Sequence, residues 1–136
     1  MSPEDPDETA APAPAEAQAR KFQKELSAGL TSLTLLSVLA GAAGDLYGYE
    51  IARRLTADVA QAPFKQGGLY PVLRNMSAAG LLSSRIVPSY AGPPRRYYRI
   101  TPLGREVLAA WTATWRTMRD FVDGVVRRNE TEEIPS

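Results

Sequence analysis

The sequence of 136 residues contains no cysteine and no histidine. The absence of cysteine excludes disulfide bonds and thiolate metal ligands, and it is compatible with a cytoplasmic protein. The absence of histidine removes the commonest general base and the commonest zinc ligand, so histidine-dependent catalytic triads and typical zinc sites are excluded. We therefore expect no metal, no cofactor and no enzymatic activity.

The sequence also lacks long apolar runs, since no stretch approaches the roughly 20 residues that cross a bilayer. Residues 1–15 are acidic and proline-rich, whereas a signal peptide would begin with a basic and then an apolar segment. Hydrophobic residues make up 44% of the chain and charged residues 23%, as in ordinary globular domains. We expect one small cytoplasmic domain with no membrane partner.

The formal net charge of +1 conceals an uneven distribution of charge. Residues 17–129 contain all 16 bases but only seven of the 15 acids, a net charge of +9. This excess fits a nucleic-acid partner, and it equally fits a solvated basic surface. The remaining acids lie in two flanking segments, 1–19 and 129–136, which we expect to be disordered tails because they have no periodic apolar face.

Helical periodicity dominates the basic region. It predicts a first helix over about 20–39, a second over about 47–58, and a third that buries Leu69, Leu73 and Met76. We expect Gly68 to cap the start of the third helix and Gly80 to end it.

A hairpin follows the third helix. Segments 82–87 and 95–100 predict two strands around a turn rich in proline and glycine. Thr101 and Pro102 then predict the N-cap and the first residue of a last helix. A helix that leads into a basic hairpin indicates a winged helix-turn-helix. The predicted fold is mainly α with a small β-hairpin: a winged helix over 20–101 and a dimerisation helix over 102–128.

Residues suited to DNA contact are concentrated in the third helix and the hairpin. They are Lys65, Gln66, Tyr70, Arg74, Arg95 and Arg96. The first three lie at or just before the start of the third helix, where a recognition helix touches base edges, and the fourth lies one turn further on. The last two follow the hairpin turn and would reach phosphates or the minor groove. Two alternatives stay open: Tyr70 as a packed core aromatic, and the arginine pair as a solvated hairpin tip.

The last helix carries an apolar stripe with alternating spacings of three and four residues. Its members are Leu108, Trp111, Trp115, Met118, Val122 and Val125. Such a stripe is typical of a seam between two helices, although it could also pack on its own domain. We favour a homodimer, because a small domain cannot easily bury two tryptophans on a terminal helix.

Several motifs together resemble the PadR family of bacterial transcriptional regulators, over about residues 22–126. They are Tyr47-Gly48-Tyr49-Glu50-Ile51, Leu69-Tyr70-Pro71-Val72-Leu73-Arg74, Gly80-Leu81-Leu82, the run from Gly92 to Thr101, and Gly104. The resemblance implies a winged helix-turn-helix with one C-terminal dimerisation helix. It also implies a repressor that binds dyad-symmetric promoter DNA and is released by a small phenolic or drug-like effector.

The resemblance also assigns roles to residues. It implies that Tyr70 and Arg74 approach DNA from the recognition helix, that the start of the Tyr47 helix meets phosphate, and that Arg95 and Arg96 form the wing. Gly68 is also expected at the DNA contact, but it departs from the pattern, because the family usually has serine or threonine there. Pro93 likewise stands where an arginine is common.

Some short members of the family bind flat aromatic compounds between tryptophans at the dimer interface. Trp115 falls at that place on the last helix, and Trp111 lies one turn earlier. The expected function is therefore a DNA-binding repressor with an aromatic effector. The alternatives are a sensor whose main event is ligand capture at the dimer interface, and a winged helix used only for protein–protein contact.

Overall fold

A computed structural model describes residues 13–56 and 64–133. The elements in chain order are α1 (Pro14–Ala40), β1 (Leu46–Tyr47), α2 (Gly48–Thr56), α3 (Gln66–Ala78), β2 (Leu82–Val87), β3 (Arg95–Ile100) and α4 (Pro102–Glu133). The strands form one antiparallel sheet in the order β1-β3-β2. The predicted mainly helical fold with a small hairpin is confirmed, and the short strand β1 is added to it.

The core lies between the C-terminal half of α1, the helices α2 and α3, and one face of the sheet. Its largest fully buried side chains are Leu35, Leu36, Ile51, Leu69 and Leu73. The apolar stripe of α3 faces inward as its spacing predicts, because Met76 is buried together with the two leucines of that helix. Tyr98 and Ile100 cover this core from β3.

Both terminal helices are longer than predicted. The first helix begins at Pro14, so residues 14–19 are helical where a disordered tail was expected. Proline suits the first helical position, and Glu16 accepts a hydrogen bond from the Ala13 amide at 3.2 Å. The last helix continues to Glu133, so residues 129–133 are also helical where a second disordered tail was expected.

The start of α3 also differs from the prediction. Lys65 occupies the N-cap position without a side-chain hydrogen bond, and Gly68 lies inside the first turn, so its predicted capping role is wrong. The backbone of Lys65 is extended, which is the conformation that an N-cap residue adopts. The other end is as predicted: Gly80 has a φ of 83°, and the Leu81 amide donates to the Met76 carbonyl at 2.9 Å.

The second helix begins one residue later than predicted, because Tyr47 belongs to β1. The Tyr47 amide donates to the Glu50 carboxylate at 3.1 Å, which stabilises the entry into α2. The predicted end of this helix at position 58 lies outside the described residues.

The junction between β3 and α4 is tightly packed. Thr101 caps α4 as predicted, because its hydroxyl accepts a hydrogen bond from the Gly104 amide at 2.9 Å. The same hydroxyl lies 2.7 Å from the Gly80 carbonyl oxygen and donates to it. These bonds fix the end of α3, the end of β3 and the start of α4 relative to one another, and so set the position of the hairpin beside α3.

Candidate nucleic-acid interface

The two wing arginines lie on opposite faces of the sheet, since side chains alternate along a strand. Arg96 shares a face with Tyr98 and Ile100, which point into the core, and it lies beyond the core edge. Its guanidinium donates to the Ser84 hydroxyl of β2 at 3.1 Å. Arg95 shares the outer face with Tyr97. Of the two adjacent tyrosines on β3, Tyr98 is buried and Tyr97 is half-buried.

Tyr98 links the wing to the recognition helix. Burial raises the pKa of its hydroxyl, and the positive charges of Arg96 and Arg74 act in the opposite direction. Both guanidinium groups thus act electrostatically on the same hydroxyl, one from β3 and the other from α3. The structure thus brings two of the predicted DNA-contacting arginines to one surface.

The remaining candidates on α3 differ in exposure. Lys65, Gly68 and Arg74 are exposed, and Gln66 is the first residue of the helix. Tyr70 is half-buried and packs against the core, and a Cβ placed on Gly48 would lie 2.8 Å from its ring. The tyrosine thus fixes α3 against α2 while part of its ring stays accessible.

The carboxylates near the sheet pair with other arginines. Asp45, just before β1, accepts from Arg99 at 2.5 Å and from Arg85 at 2.9 Å. These two hydrogen bonds, that of Arg99 first, lower the pKa of Asp45. Sequence reasoning missed this cluster, because its members are 40 and 54 residues apart.

The predicted DNA-contacting cations are free of such pairing. In residues 13–56 and 64–133, no ion pair engages the side chains of Lys65, Arg74, Arg95 and Arg96. Charged groups that lack an internal partner are available to an external anion. The surface formed by α3 and the wing therefore has an unneutralised positive charge.

The start of α2 carries the last candidate. Tyr47 is half-buried on the outer face of the sheet, where its ring lies 5.6 Å from that of Tyr97. The Arg95 guanidinium lies 4.5 Å from the centre of the Tyr47 ring. Sequence reasoning named Tyr47 and Arg95 separately and missed their contact, because it depends on the pairing of β1 with β3.

The apolar stripe on α4 divides into two parts. Leu108 and Trp111 are half-buried against the core of their own domain. The stripe then becomes exposed: the solvent-exposed fractions are 36% for Trp115, 60% for Met118, 51% for Val122 and 46% for Val125. Phe22 and Leu26 are exposed on α1 as well.

A groove of about 390 Å³ separates α1 from α4. Both tryptophans line it, together with Gly29, Leu30, Ser32, Leu33, Thr114 and Met118. The two predicted effector-binding residues thus border one concave, partly apolar surface.

The described residues contain neither a helix that could span a membrane nor a group of acids that could hold a metal ion. None of the helices in that part of the chain is long and apolar enough to span a membrane. No three acidic side chains in the same ranges are grouped so that they could hold a metal ion.

Comparison with known proteins agrees with this geometry. Residues 35–110 match the transcriptional regulator PadR-like family. A PadR family transcriptional regulator from Eggerthella lenta is similar in structure, with 30% identity, a TM-score of 0.71, and coverage of 82% of this chain and 95% of that one. A PadR family regulator from Clostridium difficile shows 26% identity and a TM-score of 0.59, over 71% of this chain and 98% of that one.

A curated relative, an uncharacterized protein of Lysinibacillus sphaericus, is 28% identical over 80 residues, which are 58% of this chain and 73% of the relative. The family match covers more than half of the chain and includes α2, α3, the wing and the start of α4. The chain therefore belongs to the PadR-like family of transcriptional regulators and has the DNA-binding winged-helix fold of that family.

Proposed function

We propose that the protein is a repressor that binds a dyad-symmetric promoter operator as a homodimer in the cytoplasm. The observation that carries the proposal is the surface formed by α3 and the wing. There Arg74 and Arg96 are exposed, and no carboxylate among the described residues pairs with either. A phosphate backbone supplies the negative charge that this surface lacks.

Roles within the interface follow from position. Lys65, Gln66, Tyr70 and Arg74 face the major groove from α3, and Arg95 and Arg96 reach the adjacent backbone from the wing. A Cβ on Gly68 would meet no protein atom within 4 Å, so packing within the protein does not require glycine at this position. The absence of a side chain lets the first turn of α3 approach the DNA closely. Tyr47 belongs to the part of the interface at the start of α2.

Dimerisation through α4 explains why its apolar residues are exposed. The stripe from Trp115 to Val125 cannot reach the core of its own domain, and a second copy of the same helix would cover it. Phe22 and Leu26 on α1 would extend the covered area. Two copies related by a dyad would hold two recognition helices at the spacing of one DNA turn, about 34 Å.

Binding to the protein's own promoter tests the proposal. Fluorescence anisotropy would compare a labelled promoter fragment with a scrambled duplex of equal length, over a series of salt concentrations. We expect tighter binding to the promoter fragment. Arg96→Ala should weaken binding to both duplexes and lower the salt slope by about one, whereas Arg74→Ala should act mainly on the promoter fragment.

Two outcomes would count against this proposal. Equal losses on both duplexes for Arg74→Ala would place this arginine at phosphates. If the wild-type protein binds neither duplex at low salt, the winged helix serves protein–protein contact instead. A reporter gene under the same promoter gives the sign of regulation, and a repressor should lower its expression.

The groove between α1 and α4 supports a second candidate function, capture of a planar aromatic effector. Its volume of about 390 Å³ suits a small ligand, and two indole rings border it. A ligand there would change the packing of α4 and with it the spacing of the recognition helices. Planar dyes and phenolic acids should quench tryptophan emission, and Trp115→Ala should reduce the quenching. Quenching that is unchanged in Trp115→Ala would exclude the groove as the binding site.

A further inference from the structure

A chain of contacts on the outer face of the sheet runs from the turn before β1 to the base of the wing. Asp45 holds Arg85, whose guanidinium lies 5.4 Å from the centre of the Tyr97 ring. The Tyr97 ring lies 5.6 Å from the Tyr47 ring, at an angle of 54°. Arg95 completes the chain of contacts, 4.5 Å above the Tyr47 ring.

Tyr47 is held firmly within this chain. It pairs with Tyr97 across the sheet, and its ring stacks on Tyr49 at a centroid distance of 6.2 Å. Its backbone amide is bound to Glu50. The ring therefore offers a fixed aromatic face at the junction between β1 and α2, next to the first residue of the wing strand.

The arginines on this face are used differently. Arg85 and Arg99 each donate a hydrogen bond to Asp45, which occupies their Nε atoms. The Arg95 side chain makes no hydrogen bond or ion pair within the described ranges, and its contact is with the face of a ring. A guanidinium that stacks through its flat face keeps the N–H groups at its edge free, and these groups bind phosphate in bidentate fashion.

We infer that Tyr47 is a positioning residue for DNA binding, whose ring holds the Arg95 guanidinium ready for a phosphate. The inference rests on the proposed DNA contact of Arg95. It assigns Tyr47 a role that is exerted through its aromatic face. The benefit is preorganisation, because a long side chain that is already ordered loses less conformational freedom when it binds.

A double-mutant cycle on the full-length protein tests the inference. Binding to a labelled duplex of arbitrary sequence, about 30 base pairs long so that it spans two half-sites, would be measured by anisotropy at low salt. We expect Arg95→Ala to weaken binding about tenfold and Tyr47→Leu about two- to fivefold. The double variant should match Arg95→Ala alone, because without the guanidinium the ring has nothing to hold. Tyr47→Phe, which keeps the ring, should recover most of the affinity that Tyr47→Leu loses.

Two controls distinguish a positioning role of Tyr47 from a loss of stability and from a general loss of positive charge. Arg119→Ala removes one positive charge on α4, far along the chain from the wing, and should change affinity less than Arg95→Ala. In the free protein, the Arg95 Hδ resonances should be shifted upfield by the Tyr47 ring current. The shift should persist in Tyr47→Phe, and this measurement does not require the leucine variant to fold.

The outcomes distinguish this inference from the proposed function. Equal losses for Tyr47→Phe and Tyr47→Leu, or independent losses for Tyr47→Leu and Arg95→Ala, would overturn it while DNA binding stands. An absent ring-current shift would overturn it as well. If the wild-type protein fails to bind the duplex, the proposed function itself is refuted, and the inference is refuted with it.

Discussion

Among the glycines, Gly104 leaves the least room for a side chain. A Cβ at this position would overlap the Leu81 carbonyl oxygen and lie 2.8 Å from Ile100. Neither neighbour can move easily, because the same carbonyl accepts the Thr101 amide and Ile100 is buried. The absence of a side chain is therefore what lets α4 begin against the end of α3.

We expect Gly104→Ala to lower the free energy of unfolding by about 1–3 kcal/mol, through overpacking. Urea unfolding followed by circular dichroism would measure it. The matched control is Gly124→Ala, also on α4, where a Cβ meets nothing within 4 Å. That control should gain about 0.5–1 kcal/mol from helix propensity. Equal effects of the two substitutions would show that the packing at Gly104 is unimportant.

Asp45 makes the stability of the folded protein depend on pH. Hydrogen bonds from Arg99 and Arg85 lower its pKa below the ordinary value of 3.8 in the folded state. A lowered pKa means that the carboxylate stabilises the fold above the unfolded-state pKa, and that this contribution is lost as the pH falls through the folded-state pKa.

Asp45→Asn should therefore be less stable than the wild type at pH 7, and the difference should disappear in acid once the pH falls below the folded-state pKa of Asp45. Urea unfolding of both proteins across this range is the measurement. A difference that stays constant down to the lowest pH would mean that the ionised carboxylate contributes nothing to stability.

At the scale of the element, the first turn of α3 contains two glycines, Gly67 and Gly68, that packing within the protein does not require. A Cβ on Gly67 or Gly68 would meet no protein atom within 4 Å, and neither residue has a positive φ. Glycine inside a helix lowers its stability relative to alanine. The first turn of the recognition helix is therefore less stable than it could be.

Gly68→Ala should raise the free energy of unfolding by about 0.5–1 kcal/mol. Gly80→Ala, just beyond the C-terminal end of the same helix, is the control and should be destabilising, because Gly80 has a φ of 83° that alanine tolerates poorly. Chemical denaturation of both variants measures the two effects. Loss of stability in Gly68→Ala would mean that its backbone conformation in solution differs from a helical one. An anisotropy titration of the same variant shows whether the added methyl group obstructs DNA.

At the scale of the whole molecule, α4 has two functions along its length. Its first turns complete the winged-helix core through Leu108 and Trp111, and its later turns expose the apolar stripe. These two parts should respond differently to substitution. Changes near Leu108 should act on the stability of one chain, whereas changes near Val122 should act on assembly.

Val122→Glu should convert a dimer into monomers at micromolar concentration and strongly weaken DNA binding, because one winged helix makes too few contacts. Sedimentation equilibrium would measure the mass. Arg116→Glu places a carboxylate on the other side of α4, by helical period, and should leave the dimer intact. A wild-type protein that sediments as a monomer would exclude the proposed interface.

Local chemistry made several features predictable. The strands Leu82–Val87 and Arg95–Ile100 have the predicted bounds, because proline and glycine residues mark the turn between them. The Thr101 cap and the positive φ of Gly80 follow from preferences that act within a few residues. Alternation along β3 places its two adjacent tyrosines on opposite faces, although it does not by itself decide which of them is buried.

Only the tertiary structure decided what depends on residues far apart in the chain. Two residues of β1 are too few to show a period, yet their pairing with β3 brings Tyr47 to Arg95. The ion pair between Asp45 and Arg99 also joins residues that are far apart in the chain. The stripe on α4 looks uniform as a sequence, and its division into a packed and an exposed part depends on where α1 ends its contact with α4. Spacing along the chain determines which side chains share a face, but only packing determines what that face meets.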